Sequence, residues 1–112
     1  MEPHEDRDGR RILADGDRLA KEGDIAGAVE HYNLYCEHVE ASRSDGASNL
    51  RLIAVRRQIL EMQPELHEVR RKLVENYVGL GLVEEAREQL ERLLAEADEA
   101  MRDPALAYRP RR

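Results

Sequence analysis

The chain has no tryptophan or phenylalanine, and its four tyrosines are the only aromatic residues among 112. A core therefore has to be built mainly from aliphatic side chains and alanine. The one cysteine, Cys36, cannot form a disulfide within the chain, which is typical of a cytoplasmic protein. No apolar run approaches the roughly 18 residues that span a bilayer. The first residues, 1–6, lack the basic and apolar regions of a signal peptide. We therefore expect a cytoplasmic protein without membrane insertion.

Acidic residues outnumber basic ones by 24 to 18, and the net charge of -6 disfavours a nucleic-acid partner. Charged residues make up 38% of the chain, which suits slender helices with broad solvated faces. The length leaves room for one domain. The sequence contains no phosphate-binding loop, nucleophile elbow or metal-ligand cluster. We therefore expect no enzymatic activity and no cofactor.

One segment occurs twice in outline, 58 residues apart. The first copy begins at Gly23 and carries Ala28 five residues later, and the second begins at Gly81 and carries Ala86 at the same spacing. An amphipathic stretch of about 14 residues precedes each glycine and another follows it. The pattern predicts two helical hairpins. Each glycine ends one helix in a left-handed conformation, and each alanine lets the next helix pack closely.

Hydrophobic periodicity predicts five helices, at about residues 9–22, 24–43, 49–62, 64–81 and 82–101. Asp24 is expected to cap the second helix, Ser48 or Asn49 the third, and Pro64 to occupy the first position of the fourth. The residues expected to be buried, wholly or in part, are Ile12, Leu13, Leu19, Ala20, Ile25, Ala28, Val29, Tyr32, Tyr35, Cys36, Val39, Leu50, Ile53, Ala54, Ile59, Leu60, Val83, Ala86, Leu90, Leu93, Leu94 and Ala97.

These segments resemble the tetratricopeptide repeat, a helix-turn-helix unit of about 34 residues with small residues at the hairpin crossing. A middle unit is marked by residues 59–64, which are similar to the family's closing signature, whereas Val74 stands where a smaller residue is usual. The other matching positions are Gly16, Leu19, Gly23, Ala28 and Tyr32 in the first unit and Leu73, Tyr77, Gly81, Ala86 and Leu90 in the last. The resemblance, closest to segments of long bacterial members, implies an all-α solenoid of about five antiparallel helices.

Two full units would separate the copies by about 68 residues, yet they lie 58 apart. If the middle unit is aligned on Pro64, its first helix falls on residues 33–45, inside the second helix of the first unit. We therefore expect one long helix, from Asp24 to about Arg43, shared by two units. Its first half would pack on the first helix, and its second half, with Val39 buried, on the third. The alternative is an irregular insertion around residues 42–49.

The expected domain organisation is a disordered segment at residues 1–8, a helical domain at 9–102 and a flexible basic tail at 103–112. The tail carries three arginines in its last four positions. Such a tail is either inert or a tether to an acidic partner.

His31, Cys36 and His38 are the residues whose chemistry has to be weighed. The two histidines are seven residues apart, about 10.5 Å along a helix, which is too far for two ligands of one zinc ion. Cys36 lies on the predicted apolar stripe, where a thiol behaves as a small hydrophobe rather than as a nucleophile. We expect all three to be packing or surface residues, with no metal bound.

The resemblance implies a non-catalytic interaction module that holds a peptide or helix of a partner protein in a concave groove. The first helix of each unit lines that groove in this family. The expected groove residues are Arg10, Leu13, Asp17, Ala20, Lys21, Glu68, Arg71, Glu75 and Val78. Arg56 and Arg57 are expected on the helix behind it.

Charge is unevenly distributed, with basic residues on the third and fourth helices and acidic residues on the fifth. Two explanations are open: the opposite charges pair across the seam between helices, or the basic residues form the floor of a groove that binds an acidic peptide. The family's lysine and asparagine pattern for binding a terminal carboxylate is not reproduced. The alternative function is structural, a module that assembles with itself because its terminal apolar faces are poorly capped. The polar residues Glu84, Glu88, Glu91 and Arg92 favour a capped last helix, hence a monomer or weak homodimer.

Overall fold

The computed structural model describes residues 7–42 and 46–102, and this part of the chain is all-helical with no β-strand. The five helices are α1 (Arg7–Lys21), α2 (Ile25–Ser42), α3 (Gly46–Met62), α4 (His67–Gly79) and α5 (Val83–Arg102). Each helix packs mainly on its neighbours in sequence, and the molecule measures 58 × 35 × 27 Å along its principal axes. No helix in the described ranges is long and apolar enough to cross a bilayer.

Both turn glycines have the predicted left-handed backbone, with φ of 87° at Gly23 and 74° at Gly81. A residue with a Cβ resists this conformation, which explains why the two helices end there. The carboxylate of Asp24 accepts a hydrogen bond from the backbone N–H of Gly27 at 2.9 Å, so the predicted cap of α2 is confirmed. Ala28 and Ala86, five residues after the two glycines, are both buried.

The long second helix is confirmed, because α2 runs from Ile25 to Ser42 without a turn and buries Val39. Its predicted division between two neighbours is wrong. The first helix reaches the far end of α2, where the backbone of Gly9 lies against Tyr35 and His38. The third helix also follows α2 along much of its length, since Gln58 bonds to Tyr32 and Arg56 to Glu40. The two neighbours therefore share α2 side by side, not end to end.

The predicted start of the fourth helix is also wrong. The chain turns at residues 63–66, and α4 begins at His67. The backbone N–H of Gln63 still bonds to the carbonyl of Ile59, so α3 ends here, and the first α4-type bond runs from Arg70 to Leu66. Pro64 lies in the turn rather than at the first helical position. Its carbonyl accepts a hydrogen bond from the buried Arg70 side chain at 2.8 Å.

The third helix begins at Gly46, earlier than predicted, so Ser48 and Asn49 lie inside the helix and do not cap it. Ser48 is buried, and Asn49 accepts a hydrogen bond from Asn76 of α4. Leu50 and Ala54 are exposed, contrary to prediction. Flanked by α2 and α4, this helix buries residues on both of its sides, namely Leu52, Ile53, Val55, Arg56, Ile59 and Leu60.

The fifth helix buries far less than predicted. Ala86 is buried and Leu93 half-buried, whereas Ala97 is exposed. Val83, Leu90 and Leu94 are exposed as well, because α4 is the only helix among the described residues that packs extensively on α5. The four apolar residues predicted for α1, Ile12, Leu13, Leu19 and Ala20, are half-buried against the core, and Ile25 at the start of α2 is exposed. Of the predicted terminal segments at 1–8 and 103–112, residues 1–6 and 103–112 lie outside the described residues, whereas Arg7 and Asp8 belong to α1.

Candidate partner-binding cleft

A cleft of about 540 Å³ lies between α2 and the start of α4, over α3. Leu66 and Val69 give it an apolar wall. Its charged lining is of mixed sign, with acidic residues on both helices and two basic side chains. The charged and polar residues around it are Asn33, Glu37, Arg56, Glu65, His67, Glu68 and Lys72. The cleft therefore combines apolar surface with polar groups able to orient a ligand.

Arg56 of α3 borders this cleft and forms hydrogen bonds with both α2 and α4. Its side chain is 4% exposed. One guanidinium nitrogen donates to Glu40 of α2 at 2.9 Å, and the other donates to the amide oxygen of Asn76 of α4 at 2.6 Å. Asn76 in turn donates to Asn49 at 2.9 Å. Arg56 was expected on the helix behind a groove, but in the structure it is buried between the two flanking helices and borders the cleft itself.

A second buried arginine, Arg70, holds the turn that borders the cleft. Its guanidinium donates to the carbonyl of Pro64 at 2.8 Å and to the side-chain oxygen of Gln89 in α5 at 2.7 Å. Glu96 of α5 lies 3.9 Å away. This arginine fixes the position of residues 64–66 relative to α4 and α5. The cleft wall at Leu66 is thus supported from the opposite side of α4.

The structure brings together three of the predicted groove residues on α4. Arg71 donates to Glu68 at 2.5 Å and to Glu75 at 2.6 Å, one turn before and one turn after it. The hydrogen bond from Arg71 lowers the pKa of Glu68. All three side chains are exposed, as is Val78. Among these predicted residues, Glu68 also lines the cleft.

The predicted groove residues of α1 lie apart from those of α4. Arg10 and Lys21 are exposed, and Leu13 and Ala20 are half-buried. Asp17 accepts a hydrogen bond from the Tyr32 hydroxyl. The first helix packs on α2, whereas α4 packs on α3 and α5. In the described part of the chain, no hydrogen bond or ion pair links the two predicted sets.

Pairing across the seam between α4 and α5 runs through Glu96, which lies 3.0 Å from His67 and 3.9 Å from Arg70. The ion pair of Arg56 with Glu40 joins α3 to α2, whereas other ion pairs of the described residues lie within one helix, as between Arg87 and Glu84. An exposed ion pair within one helix contributes little in general, about 0 to 1 kcal/mol. A smaller cleft of about 210 Å³ lies between α3 and α5 and includes Arg57 and Glu61.

Sequence reasoning did not single out Asn33, Glu37, Leu66, Val69 or Lys72 as groove residues. Asn33 and Glu37 could have been predicted. The shared-helix prediction treated residues 33–45 as the first helix of a middle unit, and first helices line the groove in the family, so both residues could have been assigned to the groove. Leu66 could not, because its place depends on the turn at residues 63–66.

Cys36 and the two histidines have packing environments. Burial raises the pKa of the Cys36 thiol from 9.0 to about 11, and Arg56 opposes this shift only in part. His31 bonds to the carbonyl of Gly27, and His38 packs against Gly9. Within residues 7–42 and 46–102, no group of three or more side chains is placed to hold a metal ion.

We expect Cys36 to react with a thiol reagent at pH 8 at least about 100-fold more slowly in the folded protein than in urea. A rise in pKa of about two units lowers the thiolate fraction by that factor, and burial restricts access as well. Absorbance of the released thiol measures the rate, and the urea-unfolded chain is the control. Rapid labelling in native buffer would contradict the buried position.

Comparison of the chain with protein-family models, with curated proteins and with solved structures gives no match. The proposal below therefore depends on the geometry of the cleft and on the resemblance carried by the repeated residues.

Proposed function

We propose that the protein is a non-catalytic interaction module related to the tetratricopeptide repeat, and that it holds a helix or peptide of a partner protein in the cleft between α2 and α4. The left-handed glycines at 23 and 81 and the buried alanines at 28 and 86 support the relationship. Repeats of this kind carry small residues at their hairpin turns and crossings. A cytoplasmic location and a bacterial origin belong to the same proposal.

The observation that carries the function is the composition of the cleft. A volume of about 540 Å³ accommodates one or two large side chains and is within the range of small binding sites. Leu66 and Val69 provide the apolar contact for an anchor side chain. Glu37, Glu68 and Lys72 stand around it and can pair with charges on either side of the anchor. This is the arrangement in which an amphipathic helix or peptide is held in a groove.

The mixed charge of the lining does not select an acidic partner over a basic one. Glu37, Glu65 and Glu68 face the cleft together with Arg56 and Lys72. The guanidinium of Arg56 is already paired with Glu40. We therefore propose a partner segment with an apolar anchor flanked by charges of both signs, rather than the acidic peptide considered from sequence.

The test is capture of partners from a lysate of the source organism by the immobilised protein, quantified by mass spectrometry. Swapping the cleft charges with Glu37→Arg and Lys72→Glu leaves the net charge unchanged. We expect it to reduce capture at least about 10-fold, since reversing both charges places like charges opposite each other across the interface. Helicity should be unchanged, because neither residue is buried.

Two further variants serve as controls. Arg57→Glu with Glu61→Arg is also neutral in net charge and changes the smaller cleft between α3 and α5; it should leave capture intact. Lys21→Glu with Arg71→Glu tests the groove expected from sequence. If the α3 swap abolishes capture and the cleft swap does not, recognition lies on the other face and the proposal fails.

A further inference from the structure

The fifth helix carries an exposed apolar stripe that the cleft does not use. Val83 is 60% exposed, Leu90 45%, Leu94 67% and Met101 71%. These residues are spaced by seven, four and seven positions. At about 100° per residue, all four side chains lie within about 20° of one direction around the helix. Large apolar side chains aligned on one face mark an interaction surface. The stripe is distinct from the face that packs on α4, where Ala86 is buried and Leu93 half-buried.

We propose that a second copy of this chain covers the stripe, through an antiparallel pairing of α5 with its symmetry mate. The spacing of seven, four and seven reads the same in both directions. A two-fold axis level with residue 92 therefore places Leu90 beside Leu94 of the other copy and Val83 beside Met101. A surface that pairs with itself has to be self-complementary in this way. A stripe shaped for an unrelated helix has no need of this symmetry.

The charges along one border of the stripe also fit this pairing. In an antiparallel pair the same border of each helix faces its counterpart. Arg87 then lies level with Asp98 of the second copy to within one residue, and Arg102 lies within two residues of Glu84. Each opposite-charge pair occurs twice by symmetry. Within the monomer the ion partner of Arg87 is Glu84 and that of Arg102 is Asp98, both on the exposed surface, so the charges are free to exchange partners.

The pairing is expected to be weak. From Val83 to Met101 the stripe is about 27 Å long, and two single helices in contact bury less than the roughly 800 Å² per partner of a standard interface. Glu91 also lies near its own symmetry mate, which opposes association. We therefore expect a monomer–dimer equilibrium in the micromolar range. The surface is separate from the cleft, so this inference is independent of the proposed function.

Sedimentation velocity over a series of concentrations tests the proposal. The wild-type protein should sediment increasingly as a dimer of the 12.9 kDa chain as its concentration rises. Leu90→Lys with Leu94→Lys should remain monomeric at every concentration, with its helicity retained because both residues are exposed. Glu85→Gln with Glu88→Gln changes the net charge by the same amount on another face of α5, and it should dimerise as the wild type does.

Cross-linking tests the direction of the two helices. Chains carrying Leu90→Cys are mixed with chains carrying Leu94→Cys and oxidised. The antiparallel arrangement predicts that the mixed cross-link forms in preference to either self cross-link, whereas a parallel pair would give the reverse. Self cross-links in excess would overturn the arrangement. A wild-type protein that stays monomeric throughout, or a dimer that survives both lysine substitutions, would overturn the proposed surface.

Discussion

Glu40→Ala is expected to lower the free energy of unfolding by about 2 to 4 kcal/mol, although Glu40 is itself 42% exposed. The reason lies in its partner. Arg56 is a buried cation, and Glu40 is its only carboxylate within 4 Å in the described part of the chain. Removing the carboxylate leaves a buried guanidinium without an ion partner within 4 Å in the described residues. The amide oxygen of Asn76 remains as a hydrogen-bond acceptor, but it carries no compensating charge.

The size of this effect follows from the exposed fractions of the two side chains, 4% for Arg56 and 42% for Glu40. Breaking a fully buried ion pair by deleting one member costs about 3 to 5 kcal/mol. Water reaches the Glu40 side of this pair, so the guanidinium is partly hydrated once the carboxylate is gone, and the loss is smaller. It still exceeds the effect of about 0 to 1 kcal/mol that is typical of an ion pair on an open protein surface.

A second substitution separates charge from packing. Arg56→Met keeps an unbranched side chain of similar length and removes the cation. In the double variant, Glu40→Ala with Arg56→Met, no unpaired charge remains. We expect it to be more stable than Glu40→Ala alone by about 1 kcal/mol or more, despite the lost donor to Asn76. Urea unfolding measures all three variants. If the double variant is less stable than Glu40→Ala, the arginine acts through its packing and the explanation from charge is wrong.

The burial of Arg56 and Arg70 could not be predicted from the sequence. Arginine is rarely buried, so its residue type predicts exposure. Whether a position on a helix is enclosed depends on how many other helices pack around it. The third helix is flanked by both α2 and α4, and Arg56 lies where the two approach. No local pattern in residues 46–62 encodes that second neighbour.

On α5 the prediction failed in the opposite direction, because residues expected to be buried are exposed. The reason again is the number of helices that pack around the position. The spacing of Leu90 and Leu94 correctly marks an apolar face, but burial also requires an element to cover it. Within residues 7–42 and 46–102, only α4 packs extensively on this helix. By contrast, the turn glycines and the Asp24 cap were predicted correctly because they depend on local backbone geometry alone. Local geometry made these features readable from sequence, although it did not place Pro64 or the start of α3 correctly, whereas the enclosure of Arg56 by a second helix was not readable.

Tyr32→Ala is expected to have the largest effect of any substitution considered, about 3 to 5 kcal/mol. Tyr32 is fully buried, and its ring lies against the backbone of Gly16, where even an added Cβ would come within 2.9 Å. Its hydroxyl donates to Asp17 of α1 and accepts from Gln58 of α3 at 3.2 Å. The side chain therefore fills the junction of three helices. Alanine would leave a cavity there.

A domain of this size has a total stability of about 5 to 15 kcal/mol, so the loss is a large part of that stability. Tyr32→Phe is the matched control, because it keeps the ring and removes only the hydroxyl. Asp17 is exposed and can bond to water instead. We therefore expect Tyr32→Phe to lose only about 1 kcal/mol. Thermal and urea unfolding of the two variants separate ring packing from hydrogen bonding.

The hydroxyl of Tyr32 also makes a pH-dependent contribution to the free energy of unfolding. Burial and the hydrogen bond to Asp17 raise the pKa of Tyr32 from 10.0 to about 12. The folded state thus holds the phenolic proton more tightly than the unfolded chain does. The resulting stability is fully present below pH 10 and is lost as the pH rises through about 12. Tyr32→Phe should lack this part of the alkaline loss. If it instead destabilises as much as Tyr32→Ala at neutral pH, the hydroxyl rather than the ring holds the three helices together.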